Sequence, residues 1–303
     1  MANSTIGAPA RDAPAEIRRA ADALDRGDAS GAAQILRHYL MASGASVPPP
    51  VALDAFERLL EALCYAGRHG ELTDAFQAPW SPVRGLCERE FDVMYAQSIA
   101  AAGQHPLPLA RRQRFHAMVA QLRASAAARG EIAECGCFRG MSSHLICRVL
   151  EAERGAFDGS GFHVIDSFQG LSAPVAEDRI PEDHPRADAL REMCRAGTFA
   201  APVEKLRKAI RQFPGVAVHA GWIPEVLSEL PRAAYRFVHL DVDLYRPTLD
   251  GLAFFFPLLA PGGVIVSDDF SWPGARRAIE EFSAERGISF SVTPFGQAVI
   301  SRR

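Results

Sequence analysis

At 303 residues, 48% hydrophobic and 23% charged, the chain is long enough for one large or two modest globular domains, and its composition is that of neither a disordered tail nor a fibre. A net charge of −3 with no strong basic block argues against a nucleic-acid surface, which needs concentrated positive charge. The longest apolar run, 252–260, is too short to span a membrane and contains Pro257. The six cysteines, Cys64, Cys87, Cys135, Cys137, Cys147 and Cys194, fit neither a disulfide framework nor a zinc spacing, and read as reduced thiols of a cytoplasmic protein. The opening Met-Ala-Asn-Ser-Thr-Ile-Gly lacks the basic start and apolar core of a signal peptide.

Residues 1–13, rich in small residues and proline, read as a disordered N-terminus. Residues 14–107 read as a helical accessory, dimerisation or cap region. Ile17, Ala20, Ala21 and Leu24 share one helix face, and Ala32, Ile35, Leu36, Tyr39 and Leu40 another. A third helix is predicted over 51–65, with Leu53, Phe56, Leu59, Leu60 and Leu63 inward; a shorter one starts at Glu71, and a longer one lies within 83–102. The stretch 21–33 faintly resembles a tetratricopeptide helix pair, without a second copy. The linker is placed at 105–108, and 109–129 is predicted as one helix ended by Gly130.

From 108 to 303 the texture changes to alternating strands and helices. Strands are predicted at 131–135, 162–165, 216–220, 237–240, 264–267, 289–292 and 297–300, with helices at 140–152, 202–212, 224–230, 247–259 and 273–286 between them. This alternation means an α/β fold: a doubly wound, mostly parallel, seven-stranded Rossmann-like sheet, whose terminal hairpin contributes one antiparallel strand. The charged, proline-bearing insertion 169–201 is predicted to be a lid whose charges and His184 contact substrate.

Several strands end in groups that carry chemistry, at the edge where open α/β sheets bind ligands. The strand 237–240 runs into Asp241 and Asp243, and 264–267 into Asp268-Asp269. Three carboxylates converging there, Asp241, Asp268 and Asp269, repel one another unless a cation or a shared proton relieves them. Asp243 reads as a cap of the following helix or a partner of an arginine, and His239, between Val238 and Leu240, as a packed strand residue. Glu134-Cys-Gly136-Cys-Phe-Arg-Gly140-Met-Ser142 forms the first strand-to-helix turn; its glycines permit close backbone approach, and the helix start beyond offers N–H groups to an anion. Asp166 ends the next strand, where an acid commonly holds ribose hydroxyls, and the pair suggests an adenosine-containing cofactor.

The motif Glu134-x-Gly136-x-x-x-Gly140-x-Ser142 resembles the cofactor motif of class I S-adenosylmethionine-dependent methyltransferases. With Asp166-Ser-Phe-Gln-Gly-Leu171, Gly221-Trp-Ile-Pro-Glu-Val-Leu227, Leu240-Asp-Val-Asp-Leu-Tyr245, Gly262-Gly263 and Asp268-Asp269-Phe270, the order is similar to that of the macrocin O-methyltransferase family, over about 110–300. The resemblance implies a cytoplasmic, S-adenosyl-L-methionine- and Mg2+-dependent O-methyltransferase acting on a sugar or polyol hydroxyl of a secondary metabolite. It places Glu134, Gly136, Gly140 and Ser142 by the methionine end of the cofactor, Asp166 on the ribose, Ser167 and Phe168 beside the adenosine, and Gly221 and Trp222 by the adenine. Asp241, Asp268 and Asp269 are the implied magnesium ligands, with Asp241 also the candidate catalytic proton acceptor. Two departures stand out: Phe270 where the family often has Tyr, and Val242 where it often has Gly. A catechol-type O-methyltransferase shares this metal logic, and a cofactor-binding interaction protein with a recruiting helical region is the non-enzymatic alternative. The expected partners are a small-molecule hydroxyl acceptor and a second copy of the chain as a homodimer, with neither nucleic acid nor membrane.

Overall fold

The computed structural model describes residues 6–10, 12–43, 47–105, 109–183 and 187–302. Much of the predicted N-terminal tail, the linker positions 106–108 and His184 lie outside the described residues. The chain divides into two compact units, Met1–Arg112 and Gln113–Arg303. Among the described residues no helix is long and apolar enough to cross a membrane.

The first unit is helical: α1 (Ala15–Asp25), α2 (Ala29–Ser43), α3 (Pro49–Tyr65), α4 (Gly70–Gln77) and α5 (Arg89–Ala102). Consecutive helices pack as hairpins, α1 on α2 and α4 on α5, burying Ile17, Leu24, Leu36, Phe56, Leu60, Phe76 and Phe91. Leu53 departs from its predicted inward position and is 39% exposed, because the buried face of α3 is centred on Phe56, Leu59, Leu60 and Leu63. The helix predicted within 83–102 is shorter; Arg84–Leu86 makes a separate 3-10 turn before α5. The unit boundary falls inside α6 (Leu109–Ala124). Arg112 at its start is fully buried against Asp92, with its guanidinium 5.1 Å from the ring centroids of both Phe76 and Phe91. A buried guanidinium persists only with such a carboxylate and ring faces to replace water.

Helix α6 stops at Ala124, five residues before the predicted end. Strand residue Arg236 explains this: its Nη1 donates to the Leu122 carbonyl (3.4 Å) and the Ser125 hydroxyl (3.1 Å). The cation and the Ser125 hydroxyl, at 2.8 Å, both serve the Leu122 carbonyl near the helix end, so the alanine-rich continuation is not needed.

The second unit holds β1 (Glu131–Cys135), α7 (Met141–Arg154), β2 (Phe162–Asp166), α8 (Ala187–Met193), α9 (Val203–Ala209), β3 (Ala217–Ala220), β4 (Tyr235–Leu240), α10 (Tyr245–Leu258), β5 (Leu259–Ser267), α11 (Pro273–Arg286), β6 (Phe290–Val292) and β7 (Ala298–Ser301). The sheet order is β3-β2-β1-β4-β5-β7-β6, parallel through β5, with β7 antiparallel to both its neighbours. This is the α/β sheet expected from the sequence. The predicted helix at 224–230 is instead a 3-10 turn, Glu225–Glu229. All six residues of β4 are buried, as a central parallel strand covered on both faces requires. Helix α10 packs on β4, β5 and α11, burying Val238, Leu240, Leu252, Phe255, Ile265 and Phe282 in one core. The chain leaves β1 toward β2 on one side, while β4 lies on the other, so the crevice opens at the tips of β1 and β4.

Helix α7 carries a titratable group of structural consequence. His144 is buried beside Phe213, and desolvation, then Arg148, pushes its imidazole pKa down to about 4. The unfolded chain takes a proton there near pH 6.5 that the folded one refuses, so the stability present at neutral pH is lost as pH falls from about 6.5 to about 4. Urea unfolding at pH 7 and pH 4.5 is expected to show a smaller loss for His144→Gln than for the wild type; equal losses would remove His144 from the acid response.

Candidate active site

Gly136 opens the turn after β1 in the left-handed region, φ +83°. Its N–H donates to the Ile165 carbonyl at 2.8 Å, and the Asp241 carbonyl lies where its Cβ would be. The turn after β1 is therefore pressed against the tip of β4. Asp166 ties the next loops together. Its Oδ2 accepts the N–H groups of Cys137 (2.8 Å) and Phe138 (3.1 Å), and its Oδ1 accepts that of Phe168 (2.7 Å). Three N–H donors lock the carboxylate in place and leave about one acceptor position for a ligand hydroxyl. Phe138 and Phe168 both adopt positive φ, a conformation bulky residues reach only where surrounding bonds impose it. The Ser167 hydroxyl donates to the Gly170 carbonyl at 2.9 Å, and the Gly221 N–H to the Asp166 carbonyl at 3.0 Å. That bond brings Gly221 and the part-exposed Trp222 to the tip of β2.

Helix α7 begins after Gly140 with no side chain capping its N-terminus, and Ser142 lies in its first turn, so this end can receive an anion. Glu134 is placed differently from an open ligand-binding acid. It is fully buried, its Oε2 accepts the Ser143 hydroxyl, and its Oε1 lies 3.1 Å from His239 Nδ1.

The carboxylates gather at the tips of β4 and β5. Backbone bonds fix the frame: Asp241 N–H to the Cys135 carbonyl and Asp268 N–H to the Leu240 carbonyl, both 2.8 Å. Among the described residues two triads bring their ligand atoms within 4.8 Å of one another: His239, Asp241 and Asp268, and Asp241, Asp243 and Asp269. The three acids singled out from sequence are thus divided, with Asp241 common to both groups. Asp268 ion-pairs with Arg114 of α6, whose Nη2 also lies 3.7 Å from Asp269 Oδ1, and it accepts the Gln297 Nε2–H at Oδ1 at 2.6 Å.

Asp243 is neither the helix cap nor the arginine partner read from sequence. It sits at φ +59°, and its N–H donates to Asp269 Oδ2 at 2.9 Å. The cap of α10 is Asp178 of the insertion, whose Oδ1 accepts the Tyr245 N–H at 2.7 Å. The insertion has its own small core, with Leu171, Ile180, Ala187 and Cys194 packed on Leu244, Trp272 and Ala275. It lines a cavity of about 570 Å³ between Pro174, Val175, Ile180, Arg191 and Cys194.

Burial, then Asp241, raises the Asp243 pKa to about 7; burial, then Asp243 and Asp241, pushes Asp269 well above the usual carboxylate range. Five acids stand here (Glu134, Asp241, Asp243, Asp268 and Asp269) against the Arg114 guanidinium. Oxygen donors in that number and mutual repulsion of that kind fit a divalent cation. Arg114, Gln297 and Asp178 carry no sequence signal, being 154, 29 and 67 positions from their partners.

A family model described as Macrocin-O-methyltransferase (TylF) matches residues 103–300. The chain belongs to the macrocin O-methyltransferase family. The 8-demethyl-8-(2,3-dimethoxy-alpha-L-rhamnosyl)-tetracenomycin-C 4'-O-methyltransferase of Streptomyces olivaceus is similar to it, 30% identical over 164 residues, 53% of this chain and 60% of that protein. The Mycinamicin III 3''-O-methyltransferase of Micromonospora griseorubida is 26% identical over 186 residues, 57% of this chain and 68% of that protein. The match thus spans about 60% of the length of the tetracenomycin relative. Among solved structures, the O-methyltransferase NovP shares the fold, with a TM-score of 0.52 and 21% identity over 84% of this chain and 99% of that one.

Proposed function

We propose that this macrocin-family chain is an S-adenosylmethionine-dependent O-methyltransferase that uses a divalent cation, with magnesium as the reference ion, and methylates a sugar or polyol hydroxyl of a secondary metabolite. The observation that carries this is the contact of Gly136 with the Asp241 carbonyl. It makes the Asp166-anchored cofactor turn and the carboxylate cluster two walls of one crevice. Family membership supports the reaction class, and the rhamnosyl acceptor in the name of the Streptomyces relative supports a sugar hydroxyl.

In this reading Gly140, Ser142 and the start of α7 receive the methionine end of the cofactor, Asp166 takes a ribose hydroxyl, and Ser167, Phe168, Gly221 and Trp222 border the adenosine. Glu134 acts behind the turn, through Ser143 and His239. Asp241, Asp268 and Asp269 would hold the cation. Bound S-adenosylmethionine would supply the electrophilic methyl group, and the bound cation the charge that acidifies an acceptor hydroxyl. Asp241, half-buried and shared by both triads, is the acid positioned to take the hydroxyl proton. The cavity of the insertion is the proposed acceptor space, because Cys194 of its wall packs in one cluster with Leu244 and Trp272, which follow the two strand tips that carry the acids.

Calorimetry with S-adenosylhomocysteine is expected to show binding to the full chain, and assays with S-adenosylmethionine in its place are expected to show methyl transfer to glycosylated acceptors that EDTA abolishes. Absence of binding with and without magnesium would overturn the methyltransferase reading; full turnover in EDTA would remove the cation from it.

A further inference from the structure

We propose that Phe138 and Phe199 are positioning residues, a pair of rings through which Asp166 couples the filling of the cofactor crevice to the two feet of the insertion. This rests on the reading of Asp166 as the ribose acid, and concerns what its engagement does beyond binding.

Besides Asp243, the non-glycine residues with left-handed φ among the described residues are all phenylalanines: Phe138 (+50°), Phe168 (+57°) and Phe199 (+65°). A bulky side chain takes that conformation only where its surroundings impose it. Asp166 imposes it on two of them. Its Oδ2 accepts the Phe138 N–H at 3.1 Å, and its Oδ1 the Phe168 N–H at 2.7 Å. Phe168 stands at the entry of the insertion. Phe199 stands at its exit, and its ring meets that of Phe138 edge-on, with centroids 6.0 Å apart. The two residues are 37% and 39% exposed, so burial alone does not hold them there.

Entry and exit are also laced to each other. The Leu171 N–H donates to the Thr198 carbonyl at 2.8 Å, and the Gly197 N–H to the Leu171 carbonyl at 2.9 Å. Gly170 permits this approach, since a Cβ there would collide with the carbonyls of Thr198 and Gly197. The Ser167 hydroxyl holds the Gly170 carbonyl from the other side at 2.9 Å. One carboxylate therefore anchors the entry directly, through Phe168, and the exit through the ring of Phe138.

The feet in turn place the wall of the proposed acceptor space, because Leu171 and Cys194 pack in one cluster with Leu244 and Trp272. Strained loops that depend on one carboxylate open locally in the empty protein. A ribose hydroxyl on the remaining acceptor position of Asp166 favours the held carboxylate, and with it the laced feet. The coupling is reciprocal: the factor by which the cofactor stabilises the laced feet is the factor by which laced feet strengthen cofactor binding.

The full chain is followed by hydrogen–deuterium exchange in the fragments that hold the Leu171 and Gly197 amides. S-adenosylhomocysteine is the probe, with its affinity measured by calorimetry. Its binding is expected to slow both amides about tenfold. Phe199→Ala is expected to abolish that slowing and to weaken S-adenosylhomocysteine by the same factor, about tenfold. Phe199→Trp is expected to restore both. A ring that only packs would change the exchange equally with and without S-adenosylhomocysteine and leave its affinity unmoved. That result would overturn the inference, as would wild-type amides indifferent to bound S-adenosylhomocysteine; either leaves the ribose reading standing. No binding to the wild type would overturn both. The wild-type exchange decides the matter even where Phe199→Ala fails to fold.

Discussion

Asp241→Asn is expected to lower methyl transfer by about 10³-fold or more while leaving the protein folded. Asp241 is the one acid shared by both candidate triads, so its charge would serve whichever of them held a cation. A metal's charge stabilisation is worth several kcal/mol, and each tenfold in rate is about 1.4 kcal/mol. Asparagine keeps the volume and the backbone bond to the Cys135 carbonyl. It also removes a charge that helps push Asp243 and Asp269 above the usual carboxylate range. The metal-free variant is therefore expected to melt no lower than the wild type. Initial rates and melting curves on the same preparations check both halves. A rate within tenfold of wild type would take Asp241 out of the reaction, and a sharp fall in melting temperature would make its role structural.

The second large effect belongs to a glycine. A Cβ on Gly136 would lie 1.8 Å from the Asp241 carbonyl oxygen, and φ is +83°. Neither strand tip can retreat, since the Gly136 N–H is bonded to the Ile165 carbonyl and the Asp241 N–H to the Cys135 carbonyl, each at 2.8 Å. Left-handed backbone alone costs an alanine about 1–2 kcal/mol. With the overlap added, Gly136→Ala is expected to destabilise by roughly 3–5 kcal/mol. At about 2–4 °C per kcal/mol, that lowers the melting temperature by roughly 10 °C. Gly155 is the control: it also has positive φ, +71°, but nothing lies within 4 Å of its Cβ position, so Gly155→Ala is expected to pay the backbone cost alone. Equal losses at the two positions would mean that the turn after β1 does not press on β4.

The strands were legible because their signals are local. Apolar runs such as Phe237–Leu240 ended by acids, and the regular return of helical spacing between them, locate β1 to β5 and α7, α10 and α11 within a few residues. Two of the misjudgements were decided by a partner distant in sequence. Arg236 terminates α6, and Asp178, not Asp243, serves the start of α10.

By itself the sequence determined the order of strands and helices, the glycine turn after β1, and the acids at successive strand tips, because side-chain periodicity and turn chemistry are written over a few neighbouring residues. Only the tertiary structure decided how those acids group. Coulomb repulsion and hydrogen bonding act over ångströms, not along the chain. Gln297 holds Asp268, Asp243 joins Asp269, Arg114 reaches both Asp268 and Asp269, and His239, which reads as packing, lies between Glu134 and Asp268.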